Sequence, residues 1–308
     1  MPSRFEADNG NDFLNQVFKP PVPLAEGWVN EGDAVLITSQ TGGGKTRFTL
    51  NYALHSSLGK DFGNLKINQP ISSYFLDSEM RPNQMQIKVK KFLPLFEQHD
   101  LSKFYYKNLC LDDGIVNFCD EATQDEFIFE LKELGVNQVF LDNFFTLFHV
   151  QKYNDPNEFL AFVLRFIKKF REAEITSWWI DHNNKAGGVF GSIAKQIYFD
   201  YILKIHHERE DDVFDLEVLK EREVLDINSL SYQFNDSGHV EGLNSKKVGV
   251  GSSTHFWSWC EDFIAEARAK CNGNKTDMAQ WLVKGYANCH EEVSIQDLPN
   301  ADWVRRKI

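Results

Sequence analysis

From Ala34 onward, short apolar runs alternate with longer segments in which apolar residues recur every three or four positions. That alternation predicts parallel strands joined by crossover helices. Strands are expected near Ala34–Thr38, Ser73–Leu76, Val136–Leu141, Ser177–Ile180 and Tyr201–Ile205, followed by an antiparallel pair at Val213–Leu219 and Leu230–Phe234. Helices are expected near Thr46–Leu58, Asn83–Gln98, Asp125–Leu134 and Pro156–Ala173. In the last of these, Phe159, Phe162, Val163, Phe166, Ile167 and Phe170 fall at helical spacing. The fold class is therefore α/β, a mostly parallel central sheet flanked by helices.

The ends of the chain read differently. Residues 1–22 form a polar leader that runs into Pro20, Pro21 and, just beyond it, Pro23, which suits an extended arm better than a helix. The core is expected over 23–238. Residues 239–253 are rich in Gly, Ser and Asn and read as a linker. Over 254–308, amphipathic segments at Trp259–Cys271, Thr276–Tyr286 and Ile295–Val304 predict a small helical unit. Two forms fit it: a helix-turn-helix or winged-helix unit, and a helical cap packed on the core.

Charge narrows the partners. Lys and Arg number 33 against 45 Asp and Glu, a net charge of −12 over 308 residues. No broad basic face is available for duplex nucleic acid, so any such contact must be local, as in the lining of a channel. The five cysteines, Cys110, Cys119, Cys260, Cys271 and Cys289, are odd in number and contain no Cys-x-x-Cys pair. They read as reduced thiols acting as small apolar residues in a cytoplasmic protein. No apolar run suggests a signal peptide or a membrane span.

The chemistry concentrates at strand ends. Ser39, Gln40, Thr41, Gly42, Gly43, Gly44, Lys45 and Thr46 lie between an apolar strand and a helix, the setting a phosphate-binding loop requires. Glycines let successive backbone N–H groups turn toward phosphate oxygens, and the helix N-terminus adds positive potential. Lys45 would reach the β- and γ-phosphates of ATP, and the Thr46 hydroxyl would ligate Mg²⁺. Ser39 stands where the usual pattern has glycine, so that corner is expected to manage without glycine's freedom. Asp142 ends the strand from Val136, the form of a carboxylate that organises Mg²⁺ through water. Read alone, it is equally a solvated turn. Glu79, after Leu76, Asp77 and Ser78, reaches the crevice where open α/β sheets bind ligands. It is read as the group that polarises the attacking water, beside the alternative of an acid favouring the next helix start.

Together, the phosphate loop, Leu76–Met80, the strand end Val139–Asn143 and the run from Asp181 through His182 and Lys185 to Gly188 resemble the RepA-type hexameric replicative helicases of plasmids and phages, a branch of the RecA-like ATPases. The resemblance spans about Pro23 to Phe234. It implies a RecA-like core, with Glu79 as catalytic glutamate and Ser78 in place of the usual glycine. His182 matches a histidine that senses the γ-phosphate, though a purely structural histidine fits as well. Lys185 and Phe190 match the part that faces a central channel, which implies contact with single-stranded DNA through phosphate and base stacking. Lys220 and Arg222 resemble the Lys-x-Arg pair that a ring-shaped helicase inserts into a neighbour's ATP site. The implied assembly is a six-membered ring working with other replication proteins. Two further functions share the core: a nucleotide-dependent switch or assembly ATPase that does not unwind DNA, and a recombinase-type filament.

Overall fold

The computed structural model describes residues 7–26, 28–40, 42–93, 100–110, 116–148, 156–182, 198–208, 213–221, 230–234, 240–243, 260, 263–264, 266–272, 274–289 and 304–305. Its strands in chain order are β1 (Ala34–Ser39), β2 (Ser73–Asp77), β3 (Phe104–Asn108), β4 (Gln138–Asp142), β5 (Thr176–His182), β6 (Tyr201–Glu208), β7 (Val213–Lys220), β8 (Leu230–Phe234) and β9 (Val240–Leu243). The helices are α1 (Gly10–Asn15), α2 (Lys45–Leu58), α3 (Pro82–Phe92), α4 (Glu121–Glu133), the single turn α5 (Phe144–Leu147), α6 (Pro156–Glu172) and α7 (Lys275–Cys289).

The described strands form one nine-stranded sheet in the order β3-β2-β4-β5-β1-β6-β7-β8-β9. The first six in that order are mutually parallel, and β7, β8 and β9 extend the sheet antiparallel. This is a RecA-like P-loop core. Every residue of β1, β2 and β4 is buried, as expected of parallel strands covered on both faces. The period-two alternation then sorts side chains by layer. Val35, Ile37, Phe75, Phe140 and Trp178 join one apolar layer with Phe48 and Tyr52 of α2. Leu36, Leu76, Leu141 and Trp179 join the other with Phe127 of α4 and Phe166 and Phe170 of α6. Adjacent tryptophans thus anchor opposite faces of one strand.

Several elements depart from the sequence reading. The strand β3 was not foreseen. Within the arm read as extended, α1 forms a short helix whose Asn9 side chain caps Asn11 and Asp12. The helix expected from Asp125 begins at Glu121, because Asp120 caps it through the Thr123 N–H. The segment read as a linker contains β9, which continues the sheet beyond residue 238. In the tail, α7 runs longer than expected, and its Met278, Ala279, Leu282, Val283 and Tyr286 cluster with Cys260, Ala267 and Val304. Cys260 is a buried thiol, but Cys110 is exposed and does not act as a small core residue. Among the described residues, no helix is long and apolar enough to cross a membrane.

Candidate active site

The phosphate loop is built by a strand that stops and a helix that starts without a side-chain cap. Gly42 and Gly44 take the left-handed conformation, with φ of 73° and 79°. A Cβ on Gly44 would lie 2.4 Å from the Phe214 ring, and one on Gly43 would lie 2.6 Å from Ser39 Oγ. No larger residue fits either position. Ser39 itself is the last residue of β1, so the strand supplies its conformation and the corner needs no glycine. Its hydroxyl donates to the Gln40 carbonyl at 2.9 Å and accepts from Lys45 Nζ at 3.2 Å. Lys45 also approaches the Ser39 and Gln40 carbonyls, at 3.4 and 3.5 Å. Burial lowers the Lys45 pKa, while the charges of Asp142, Glu79 and Asp181 raise it. Gln40 is exposed, and Thr41 lies outside the described residues.

Sheet register brings the acids to this loop. In β2 and β4, Asp77 pairs with Asp142; in β1 and β5, Thr38 pairs with Asp181 and Ser39 with His182. Thr46 Oγ1 donates to Asp142 Oδ2 at 2.7 Å. Burial pushes the Asp142 carboxyl up to about 7, reinforced by the charges of Asp77 and Glu79 and opposed by the Thr46 hydrogen bond and by Lys45. Ser78 fastens β2 to β4: its N–H and hydroxyl donate to the Asp142 carbonyl at 2.7 and 3.0 Å, and its hydroxyl touches that of Thr146. Glu79 follows on an exposed turn, where Asn143 Nδ2 donates to its Oε2 at 2.8 Å. The loop, the Thr46–Asp142 pair and Glu79 therefore occupy one crevice at the carboxyl ends of the parallel strands, where such sheets bind ligands.

A protein-family model described as an AAA domain matches residues 2–188, well over half of the chain. The chain belongs to this AAA domain family. It is an ATPase of the P-loop type. No curated protein matches the chain significantly.

The AAA domain's donor set suits Mg²⁺. Thr46 and Asp142 offer hard oxygens side by side, and among the described residues no group of three or more His, Cys, Asp or Glu forms a metal cage. Mg²⁺ needs none, because it is held by one or two carboxylates together with substrate phosphates and water. Residues that sequence reading did not assign complete the AAA site. Asn143 holds Glu79, while Asp77, Tyr106 and Asn108 support the turn that carries it. The helix-start signal of Asn143, which accepts from the Thr146 N–H, was the local clue to the first.

The remaining expectations lie apart from this crevice or cannot be placed in it. Because β7 runs antiparallel to β6 and pairs Lys220 with Ile202, itself level with Leu36, Lys220 lies toward the amino-terminal end of the parallel strands and the phosphate loop at their carboxyl end. Its ammonium donates to the Phe199 carbonyl at 2.7 Å. Arg222, Lys185 and Phe190 lie outside the described residues, as does the His182 side chain.

Proposed function

We propose that this ATPase is a ring-forming motor that hydrolyses ATP with Mg²⁺ at subunit interfaces and moves along single-stranded DNA, as a replicative helicase of plasmid or phage type. In the chemical step, Glu79 takes a proton from water as the water oxygen bonds to the γ-phosphorus and the bridging β–γ P–O bond breaks. Charge leaves on the ADP β-phosphate, where Lys45 and the loop amides stabilise it. Thr46 and, through water, Asp142 would hold Mg²⁺, which would supply charge neutralisation to the phosphates.

The observation that supports an interfacial site is the position of Lys220. β7 runs away from the phosphate loop and carries Lys220 toward the amino-terminal end of the parallel strands, so Lys220 and Arg222 act, in this reading, on a neighbour. A cation supplied in trans is worth roughly a thousandfold or more in turnover. Lys185 and Phe190 would line the channel of the ring, which lets a chain of net charge −12 hold DNA locally.

The test is ATP turnover by the purified chain with and without single-stranded DNA, beside native mass and strand displacement on a fork. Stimulation by DNA, six-fold assemblies with ATP and loss of all turnover in Lys45→Ala are expected. Turnover indifferent to DNA would turn the assignment toward a switch or assembly ATPase, and open filaments toward a recombinase.

A further inference from the structure

Glu79 is exposed and carried on a turn, so its carboxylate needs outside support to stay in a reactive position. That support starts at Asp77, a fully buried carboxylate at the end of β2. One oxygen, Oδ1, accepts the backbone N–H groups of Glu79 at 3.0 Å and Met80 at 2.9 Å. The other, Oδ2, accepts the Tyr106 hydroxyl at 2.9 Å and the Asn108 amide at 3.4 Å. Asn108 Nδ2 also donates to the Met80 carbonyl at 2.7 Å and to Tyr106 Oη at 3.0 Å. The turn is thus clamped on its N–H side by Asp77 of β2, which Tyr106 and Asn108 of β3 hold in turn, and on its carbonyl side by Asn108.

We propose that Tyr106 and Asn108 are positioning residues that hold Glu79 in line for hydrolysis by locking Asp77 against the Glu79–Met80 backbone. The proposal rests on the reading of Glu79 as the group that activates water. Two backbone N–H groups and the Tyr106 hydroxyl, with the Asn108 amide at longer range, satisfy the oxygens of Asp77, an arrangement that holds only while the turn keeps this shape. Burial and the nearby Asp77 charge push the Tyr106 pKa well above that of an ordinary phenol, so the hydroxyl remains a donor throughout the range in which proteins work. The device explains why an edge strand, peripheral to the core, carries a polar Tyr-x-Asn pair beside the catalytic crevice.

The experiment measures ATP turnover with Mg²⁺ on the full chain for Tyr106→Phe, Asn108→Ser and Glu79→Gln, and for Tyr106→Phe combined with Glu79→Gln. Tyr106→Phe is expected to lower kcat about ten- to a hundredfold with KM for ATP and the affinity for a fluorescent ATP analogue unchanged, the scale of a small misplacement of a reacting group. In the Glu79→Gln background the same substitution is expected to cause no further fall, since it acts through Glu79. Asn108→Ser carries the same expectation and serves if Tyr106→Phe does not fold. Unchanged kcat in both β3 variants, with Glu79→Gln inactive, overturns the clamp and leaves the assignment of Glu79 intact. A further fall in the Glu79→Gln background also overturns it. Full turnover in Glu79→Gln removes Glu79 as the base, and the clamp with it.

Discussion

Two groups of buried or half-buried acids in one sheet, one at the ends of β2 and β4 and the other on and beside β6 and β7, are satisfied in opposite ways. At the carboxyl ends of β2 and β4, Asp77 is held by two backbone N–H groups, a phenol and an amide, and Asp142 by the Thr46 hydroxyl. Elsewhere acids meet basic side chains. Asp200 takes Arg171 Nη2 on both oxygens, at 2.9 and 2.8 Å, and Glu217 takes His206 at 2.8 Å and Lys204 at 3.4 Å. Pairing with a cation ends a carboxylate's need for charge compensation, whereas neutral donors orient it and leave its charge to act. The crevice thus holds Asp142 by a neutral donor, as the proposed Mg²⁺ site requires, and Asp200 and Glu217 pair with basic side chains.

The largest test of this contrast is Asp142→Asn, which keeps an acceptor for Thr46 and removes the charge. Turnover with Mg²⁺ should fall roughly a hundredfold or more. Stability should move the other way. A carboxyl raised from 3.8 to about 7 by folding contributes stability that is fully present below pH 4 and is lost as pH rises through 7. At pH 8 without Mg²⁺, the neutral variant should therefore unfold later than the parent, by roughly 2–4 kcal/mol. Denaturant titrations of both proteins at pH 4 and pH 8 check this, and the gain should shrink toward zero at the acidic end. A variant less stable than the parent at pH 8 would mean that Asp142 is a structural acid like Asp200.

The same contrast explains what sequence could reveal. β1, β2 and β4 are covered on both faces, so their apolar runs were conspicuous, and the Gly42–Thr46 signature between strand and helix located the loop. Phe104–Asn108 lies at the sheet edge with every residue only partly buried or exposed, so β3 lacked an apolar run, and with it went Tyr106 and Asn108. β9, Val-Glu-Gly-Leu, is four residues long and hid within a Gly- and Ser-rich stretch. The Asn143–Glu79 bond joins residues 64 positions apart, which no local pattern reports. Ser39 shows the converse: the expectation that this corner manages without glycine's freedom holds because the strand continues through it.

An intermediate effect should come from Asp200→Ala. Asp200 is nearly buried and also accepts the Ala34 N–H at 2.8 Å, so its loss strands Arg171 and opens the start of β1. Breaking a buried pair costs about 3–5 kcal/mol, and the one-third exposure of Arg171 brings the expectation down to about 2–3 kcal/mol. Turnover per folded molecule should stay within about twofold, because the pair lies at the amino-terminal end of β1, away from the loop at its carboxyl end. Calorimetric unfolding together with active-site titration separates the two quantities. A large loss of specific turnover would join Asp200 to the catalytic group and blur the contrast.

The smallest effect belongs to Glu217→Gln. Its carboxylate is held below the usual range, first by the His206 hydrogen bond and then by Lys204, against the opposing cost of partial burial. A depressed carboxyl contributes stability that is present above its unfolded pKa and lost as pH falls through the folded one. Both partners are substantially exposed, so the pair is worth under about 1 kcal/mol and should fade as salt shortens the Debye length. The stability difference between Glu217→Gln and the parent should therefore be small at pH 7 in low salt and vanish both at pH 3 and at about 1 M salt. A difference that survives 1 M salt would place Glu217 with the acids held by fixed, desolvated donors, and the division between the two regions would have to be drawn elsewhere.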